Sequence, residues 1–442
     1  MMSESGPFVV KRSPPRRFGR GLGSLSPADW GLTLAFISML VGCDQTVPRY
    51  RANALYTLVS STVRQAEADR ERASLVADDA ADVAERFFGT PADPKWPATT
   101  ESGRGGEPPL VSVANLRRCA GSVASDRDDR HRGLFREHCV TCHGISGDGR
   151  GPAATFQDPH PRNFRPGIFK WKSTVRNAKP TRADLRRTLV AGLPGSPMPS
   201  FAALQQRDPS ELGSSSVSDL DALVDYVIYL SARGEFERRL IDAAWGELGY
   251  DEESVSAIDR LNDPNNGIVA EVIAEALQSV LASWRQADQK PVEVPATFNR
   301  QVESASVENG RRIFHGAVAN CAGCHGVDGR GGNPPLDFDD WGKEYSTRIG
   351  IPPQDREAMR PIRRLGGLKP RTIDPRILHG GVARGGDDAD TLFCRVTQGI
   401  AGTPMPAIRV DQEGSGTSLS IAEAADLIAY VRSLLRPVEE SF

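Results

Sequence analysis

Two short stretches concentrate the residues able to do chemistry: Cys139-Val140-Thr141-Cys142-His143 and Cys321-Ala322-Gly323-Cys324-His325. In each, two thiols stand three positions apart and a histidine follows at once. One helical turn presents both sulfurs to the same partner, with the imidazole beside them. Thioether bonds from Cys139, Cys142, Cys321 and Cys324 to the vinyl groups of haem, with His143 and His325 on the iron, fit that pattern. Zinc is the competing chemistry, because two thiol pairs could build one four-thiolate site. The pairs lie 182 residues apart and each is trailed by histidine, which weighs toward haem.

An iron held by one histidine needs a sixth ligand or an open face. The chain has six methionines; two begin it and Met39 sits in an apolar leader. Of the other three, Met198 and Met405 are each flanked by prolines, in Pro197-Met198-Pro199 and Pro404-Met405-Pro406. Proline fixes the backbone and can hold a thioether in place at low entropic cost. Met198 and Met405 are therefore the expected axial partners of His143 and His325. Met359 has no counterpart and reads as packing or surface.

These residues recur in order. Gly192-Leu-Pro-Gly195-Ser-Pro-Met-Pro199 answers Gly399-Ile-Ala-Gly402-Thr-Pro-Met-Pro406, and Leu223-Val-Asp-Tyr226-Val-Ile-Tyr-Leu230 answers Leu427-Ile-Ala-Tyr430-Val-Arg-Ser-Leu434. With the thiol motifs, three matching blocks argue an internal duplication. The domains expected are 127–240 and 296–437. A helical connector over 241–295 has Ile268, Val269, Val272, Ile273, Ala276, Leu277, Val280, Leu281 and Trp284 at helical spacing. Residues 44–126 read as a helical arm followed by a Pro/Gly linker.

Upstream, Lys11, Arg12, Arg16, Arg17 and Arg20 precede the twelve-residue apolar run Gly31–Gly42. As a helix it rises only about 18 Å, short of a hydrocarbon core of roughly 30 Å. It reads as the apolar part of an export signal over 1–43. Its end, Leu40-Val41-Gly42-Cys43, resembles a bacterial lipobox, which implies lipidation of Cys43, a lipid anchor in the membrane and a place on its periplasmic side. The segment before Cys43 carries five basic and two acidic side chains, so its removal takes the net charge from −3 to −6. No basic excess remains to suggest nucleic-acid binding, and no other stretch approaches eighteen apolar residues.

Both halves resemble class I cytochrome c domains, in which a C-x-x-C-H helix, a methionine loop and a C-terminal helix enclose one haem. The resemblance implies a mainly α fold, two tandem helical domains and two covalently attached c-type haems. It pairs Phe135 with Tyr226, and Phe314 (with Gly310 before it) with Tyr430, where first and last helices cross. It assigns to Pro152 and Pro334, each nine residues after its histidine, the carbonyl that takes the proximal Nδ1 proton. Arg150 and Arg330, in the glycine turns after each motif, are candidates to neutralise haem propionates. The second histidine-to-methionine loop is longer, 80 residues against 55, and contains a basic run near Arg356–Arg371 and His379, a weaker alternative to Met405. His131, His138, His160 and His315 read as surface, and Cys119 and Cys394 as two buried thiols or a disulfide.

The function expected is single-electron transfer in a respiratory chain. Redox partner proteins would be a quinol-oxidising complex, a terminal oxidase or a dehydrogenase. The chain would act as a free carrier or as a subunit of such a complex; the alternatives are an enzyme of the di-haem peroxidase type and the electron-transfer subunit of a periplasmic dehydrogenase. Two filled iron faces would disfavour the enzyme, which needs an open one.

Overall fold

In the first half, helix termini are fixed by short-range chemistry. Helix α1 covers Ala54–Ser61, α2 Ala68–Phe88, α3 Val113–Cys119, α4 Leu134–His138, α5 Val140–His143, α6 Arg182–Ala191 and α7 Asp219–Gly246. Helix α6 starts at a capping box in which Thr181 and Asp184 satisfy each other's backbone amides. It stops at Gly192, whose φ of +64° only glycine adopts freely. The computed structural model describes residues 48–61, 68–97, 109–121, 133–205, 218–246, 248, 267–332, 337–346 and 350–436. Cys43 and the leader, His131 and Pro334 lie outside these residues.

The second half repeats the plan after α8, Gly267–Arg285. There α9 covers Ser304–His315, α10 Cys321–His325, α11 Asp340–Ser346, α12 Arg360–Arg364, α13 Ala389–Gln398 and α14 Ile421–Leu435. Asp388 caps α13 and a Ser420–Glu423 box caps α14. Two short parallel strands, β1 (Val410–Asp411) and β2 (Leu419–Ser420), pair just before α14. The described chain is mainly α, with two tandem cytochrome-like halves.

Helix α7 is buried nearly all round and centres the first core. It runs past position 240 to Gly246. The arm is packed into the same core. Tyr50 donates to Tyr229 Oη at 3.1 Å, the Asn53 amide donates to Glu237 at 3.0 Å, and the Ser112 amide and Asn115 both donate to Asp225. By length and composition α8 could cross a membrane, yet Val269, Ala276, Leu277, Val280, Leu281 and Trp284 are buried in this core.

The second core forms where α9 crosses α14. A Cβ at Gly310 would lie 1.9 Å from the Asp426 carbonyl oxygen, so the backbones touch there. A third apolar cluster joins Leu55 and Val59 of the arm to Trp341, Tyr345, Met359, Ile362 and Leu368. The long second loop thus folds down onto the arm, and Met359 is packing. Its basic run is partly committed: Arg363 donates to the Gly367 carbonyl and Arg371 to that of Thr155.

Candidate functional site

Each thiol pair sits on a single short turn, α5 or α10, closed by a glycine of positive φ, Gly144 or Gly326. The chain then folds back identically: the Gly149 amide donates to the His143 carbonyl and that of Gly331 to His325, both at 2.9 Å. His143 stacks on Phe164 at 4.6 Å. Burial pushes its pKa down to about 4, only partly opposed by a backbone acceptor, so the imidazole stays neutral at physiological pH. The His325 pKa is lowered for the same reason. Burial also pushes Cys139 up to about 12 and Cys321 to about 11, keeping both as thiols.

The backbone acceptors correct the expectation for the prolines. His143 Nδ1 faces the Arg162 carbonyl at 3.0 Å, and His325 Nδ1 faces that of Arg376 at 2.9 Å. Pro152 does not fill this role for His143, and Pro334 lies outside the described residues. The glycine turn leading to Pro152 is folded back on the thiol helix, the Gly151 amide donating to the Cys142 carbonyl and that of Ala153 to Thr141. With Nδ1 engaged, Nε2 of each histidine is left for a metal.

The methionine loops match almost atom for atom. The Leu193 amide donates to the Met198 carbonyl at 3.1 Å and that of Ile400 to Met405 at 3.4 Å. The amides of Met198 and Met405 donate to Ser196 Oγ and Thr403 Oγ1, each at 3.3 Å. Phe135 packs on Tyr226 at 4.8 Å between centroids, and Phe314 meets Tyr430 edge-on at 5.3 Å. Those expected helix contacts are present.

The thiols, histidines and methionine loops of both halves line one cavity of about 1910 Å³. It takes in both thiol pairs, both histidines, Met198 and Met405. Ordinary small-molecule pockets reach roughly 1,000 Å³, so the space suits two large ligands. Neutral imidazoles, paired thiols and thioethers are the donor set that covalent haem requires. The residues fit the group.

Arg150 and Arg330 do not line this cavity. Arg150 is turned onto Asp148 at 2.8–2.9 Å and onto the Leu365 carbonyl; Arg330 is exposed beside Asp328. Arg330 also contacts His379, which does line the cavity. The cations that do line it are Lys369 and Arg371 and, in matched positions of the two halves, Arg162, Lys170, Arg376 and Arg384. A fourth repeat block reveals the matched ones: Pro161-Arg162…Lys170 answers Pro375-Arg376…Arg384, with the same spacing. That register was available in the sequence but is too sparse to stand out beside the thiol motifs.

Two histidines expected at the surface, His138 and His160, line the cavity instead. His160 lies between the Ala154 and Lys369 carbonyls, at 3.0 Å from each. His315 is exposed. His379 contacts Arg330 and also lines the cavity, three residues after the Arg376 that supplies the His325 acceptor. Cys119 and Cys394 are both buried and unpaired.

The helical halves and their matched donor sets define a covalent haem-binding protein. The Cytochrome c family profile matches residues 131–231 and 307–435, and the chain belongs to that family. Its chemistry is electron transfer through haem. Among solved structures, a chain of the reducing HAO-like protein complex of Kuenenia stuttgartiensis is similar at 20% identity, over 69% of this chain and 94% of that one, with a TM-score of 0.40. No curated protein sequence matches.

Proposed function

We propose that the chain carries two haems and passes single electrons between respiratory partners at the outer face of a cell membrane. His143 and Met198 would ligate one iron, His325 and Met405 the other, with Cys139/Cys142 and Cys321/Cys324 forming the thioethers. The observation that carries this reading is that both donor sets line one cavity through equivalent loops. When bound, haem supplies a one-electron couple, and methionine opposite histidine favours the ferrous state. The Arg162 and Arg376 carbonyls orient the histidines, and the Ser196 and Thr403 hydroxyls brace the methionine loops. Export and a lipid anchor at Cys43 follow from the leader sequence. The partners would be a quinol-oxidising complex, a terminal oxidase or a dehydrogenase, as carrier or as bound subunit.

Potentiometric titration of the purified holoprotein tests the proposal. Two one-electron waves and no peroxide turnover are expected. A single wave, or sustained peroxide turnover, would overturn it.

A further inference from the structure

The fourth repeat block places two cation pairs in reciprocal positions. Arg162 and Lys170 of the first half reach the second half's methionine loop through Asp340. Arg162 Nη1 donates to Asp340 Oδ2 and Lys170 Nζ lies 3.7 Å from it. The same Asp340 sits against Gly402, four residues from the end of the Gly399–Pro406 loop. In the other direction, Arg376 and Arg384 reach Gly195, the residue equivalent to Gly402. Arg384 Nη2 donates to the Gly195 carbonyl, and Arg376 Nη2 would lie 2.8 Å from a Cβ built at Gly195.

The two arrangements differ in one respect. The Arg162–Lys170 pair has a carboxylate between it and the methionine loop; among the described residues the Arg376–Arg384 pair has none within ion-pair distance. Among the described residues Arg376 donates only to the Val382 carbonyl, and the buried Nε atoms of both arginines meet no partner there. Asp158 is in electrostatic range of Arg384 but is exposed and already faces Arg371 at 3.5 Å. Two adjacent guanidiniums, turned into a cavity with open donors, cost free energy unless an anion joins them.

We infer that Arg376 and Arg384 form a carboxylate site in the wall shared by the two haem-binding halves, and that it takes a haem propionate where the first half uses Asp340. This rests on the haem reading proposed above. It assigns the role expected of Arg150 and Arg330 to different residues. It also makes the second half's cation pair part of the first half's surroundings, since the pair is seated on the Met198 loop. Removing one guanidinium then lowers the potential of a haem in this cavity, because a nearby positive charge favours the reduced form. It also lets the propionate titrate at higher pH, so the potential falls more steeply as pH rises.

The test is spectroelectrochemistry of the full-length holoprotein carrying Arg384→Gln, with Arg384→Lys, Arg376→Gln and the exposed-site control Arg330→Gln. Haem content is counted in every sample. With two haems retained, Arg384→Gln is expected to shift one midpoint down by roughly tenfold in equilibrium, about 59 mV for one electron. Arg384→Lys should shift it less, and Arg330→Gln not at all. Asp340→Asn, which frees the opposite pair, should shift a midpoint upward. Should Arg384→Gln fail to mature, Arg376→Gln and Arg384→Lys carry the same readout.

Unchanged midpoints and pH slopes in variants that hold two haems would overturn the inference while leaving the haem reading intact. An equal downward shift in Arg330→Gln would overturn it as a non-specific charge effect. So would a shift of the wild-type midpoint on adding acetate, since the pair would then be open to solvent anions. Absence of covalent haem from the wild-type protein would instead overturn the haem reading itself.

Discussion

Met198 and Met405 are the residues on which the redox character turns. Each is held by the same backbone bond and the same hydroxyl. Met198→Ala or Met405→Ala should therefore leave the thioethers intact and lower one potential by more than tenfold, beyond about 59 mV, because the thioether favours ferrous iron. Redox titration of each variant checks this; potentials equal to wild type would refute the ligand assignment. The ligand candidates were readable from sequence because they sit in dense local motifs. The acceptors Arg162 and Arg376 were not, since a backbone carbonyl has no sequence signature and lies 19 and 51 residues from its histidine. The arginines in the glycine turns misled for a related reason: Arg150 is near His143 in sequence, but Asp148 two residues away captures its guanidinium.

At the scale of helices, the crossing of first and last elements in each half is what closes the haem space. In the second half it depends on Gly310, where any side chain would meet the Asp426 carbonyl. Gly310→Ala should destabilise the second half by roughly 1–3 kcal/mol through overpacking. Denaturant unfolding followed at the haem absorbance should show an earlier transition for that half, and an unchanged midpoint would argue that the helices do not touch. The crossing was legible because an aromatic and a tyrosine recur in both halves, Phe135 with Tyr226 and Phe314 with Tyr430, and Gly310 precedes Phe314. The arm was read as helical, yet its burial against α7 was not foreseen. Its tie points, Asp225, Glu237 and Tyr229, lie on a helix whose apolar pattern already accounted for its core. Glu237 forms a buried pair with Arg233 at 3.1 Å while accepting from the Asn53 amide. Glu237→Gln leaves that guanidinium uncompensated and should cost roughly 3–5 kcal/mol. Thermal unfolding checks the loss, and a wild-type melting point would show that the pair does not hold the arm.

Over the molecule as a whole, arm, first half and second half meet at Asp148. Burial alone would raise its pKa, but the guanidiniums of Arg165, Arg150 and Arg51 outweigh that and hold it below the usual carboxylate range. Arg51 comes from the arm, and Arg150 also donates to the Leu365 carbonyl of the second half. A depressed folded pKa gives stability that is present above the unfolded value, about 3.9, and is lost as pH falls through the lower folded value. Asp148→Asn should therefore be less stable than wild type at neutral pH, with the difference closing in stronger acid. Melting temperature against pH checks the sign; a difference that grew on acidification would contradict it. The duplication was plain in the sequence, whereas the merging of both donor sets into one cavity was not, because Arg162, Arg384 and Asp340 make their contacts between halves. The central claim is that two haems sit there, each between histidine and methionine. Near-infrared magnetic circular dichroism of the oxidised protein, scaled to haem content, tests it most directly. The prediction is two low-spin irons per chain, both with the histidine–methionine signature. One haem per chain, a bis-histidine band or a high-spin site would contradict it.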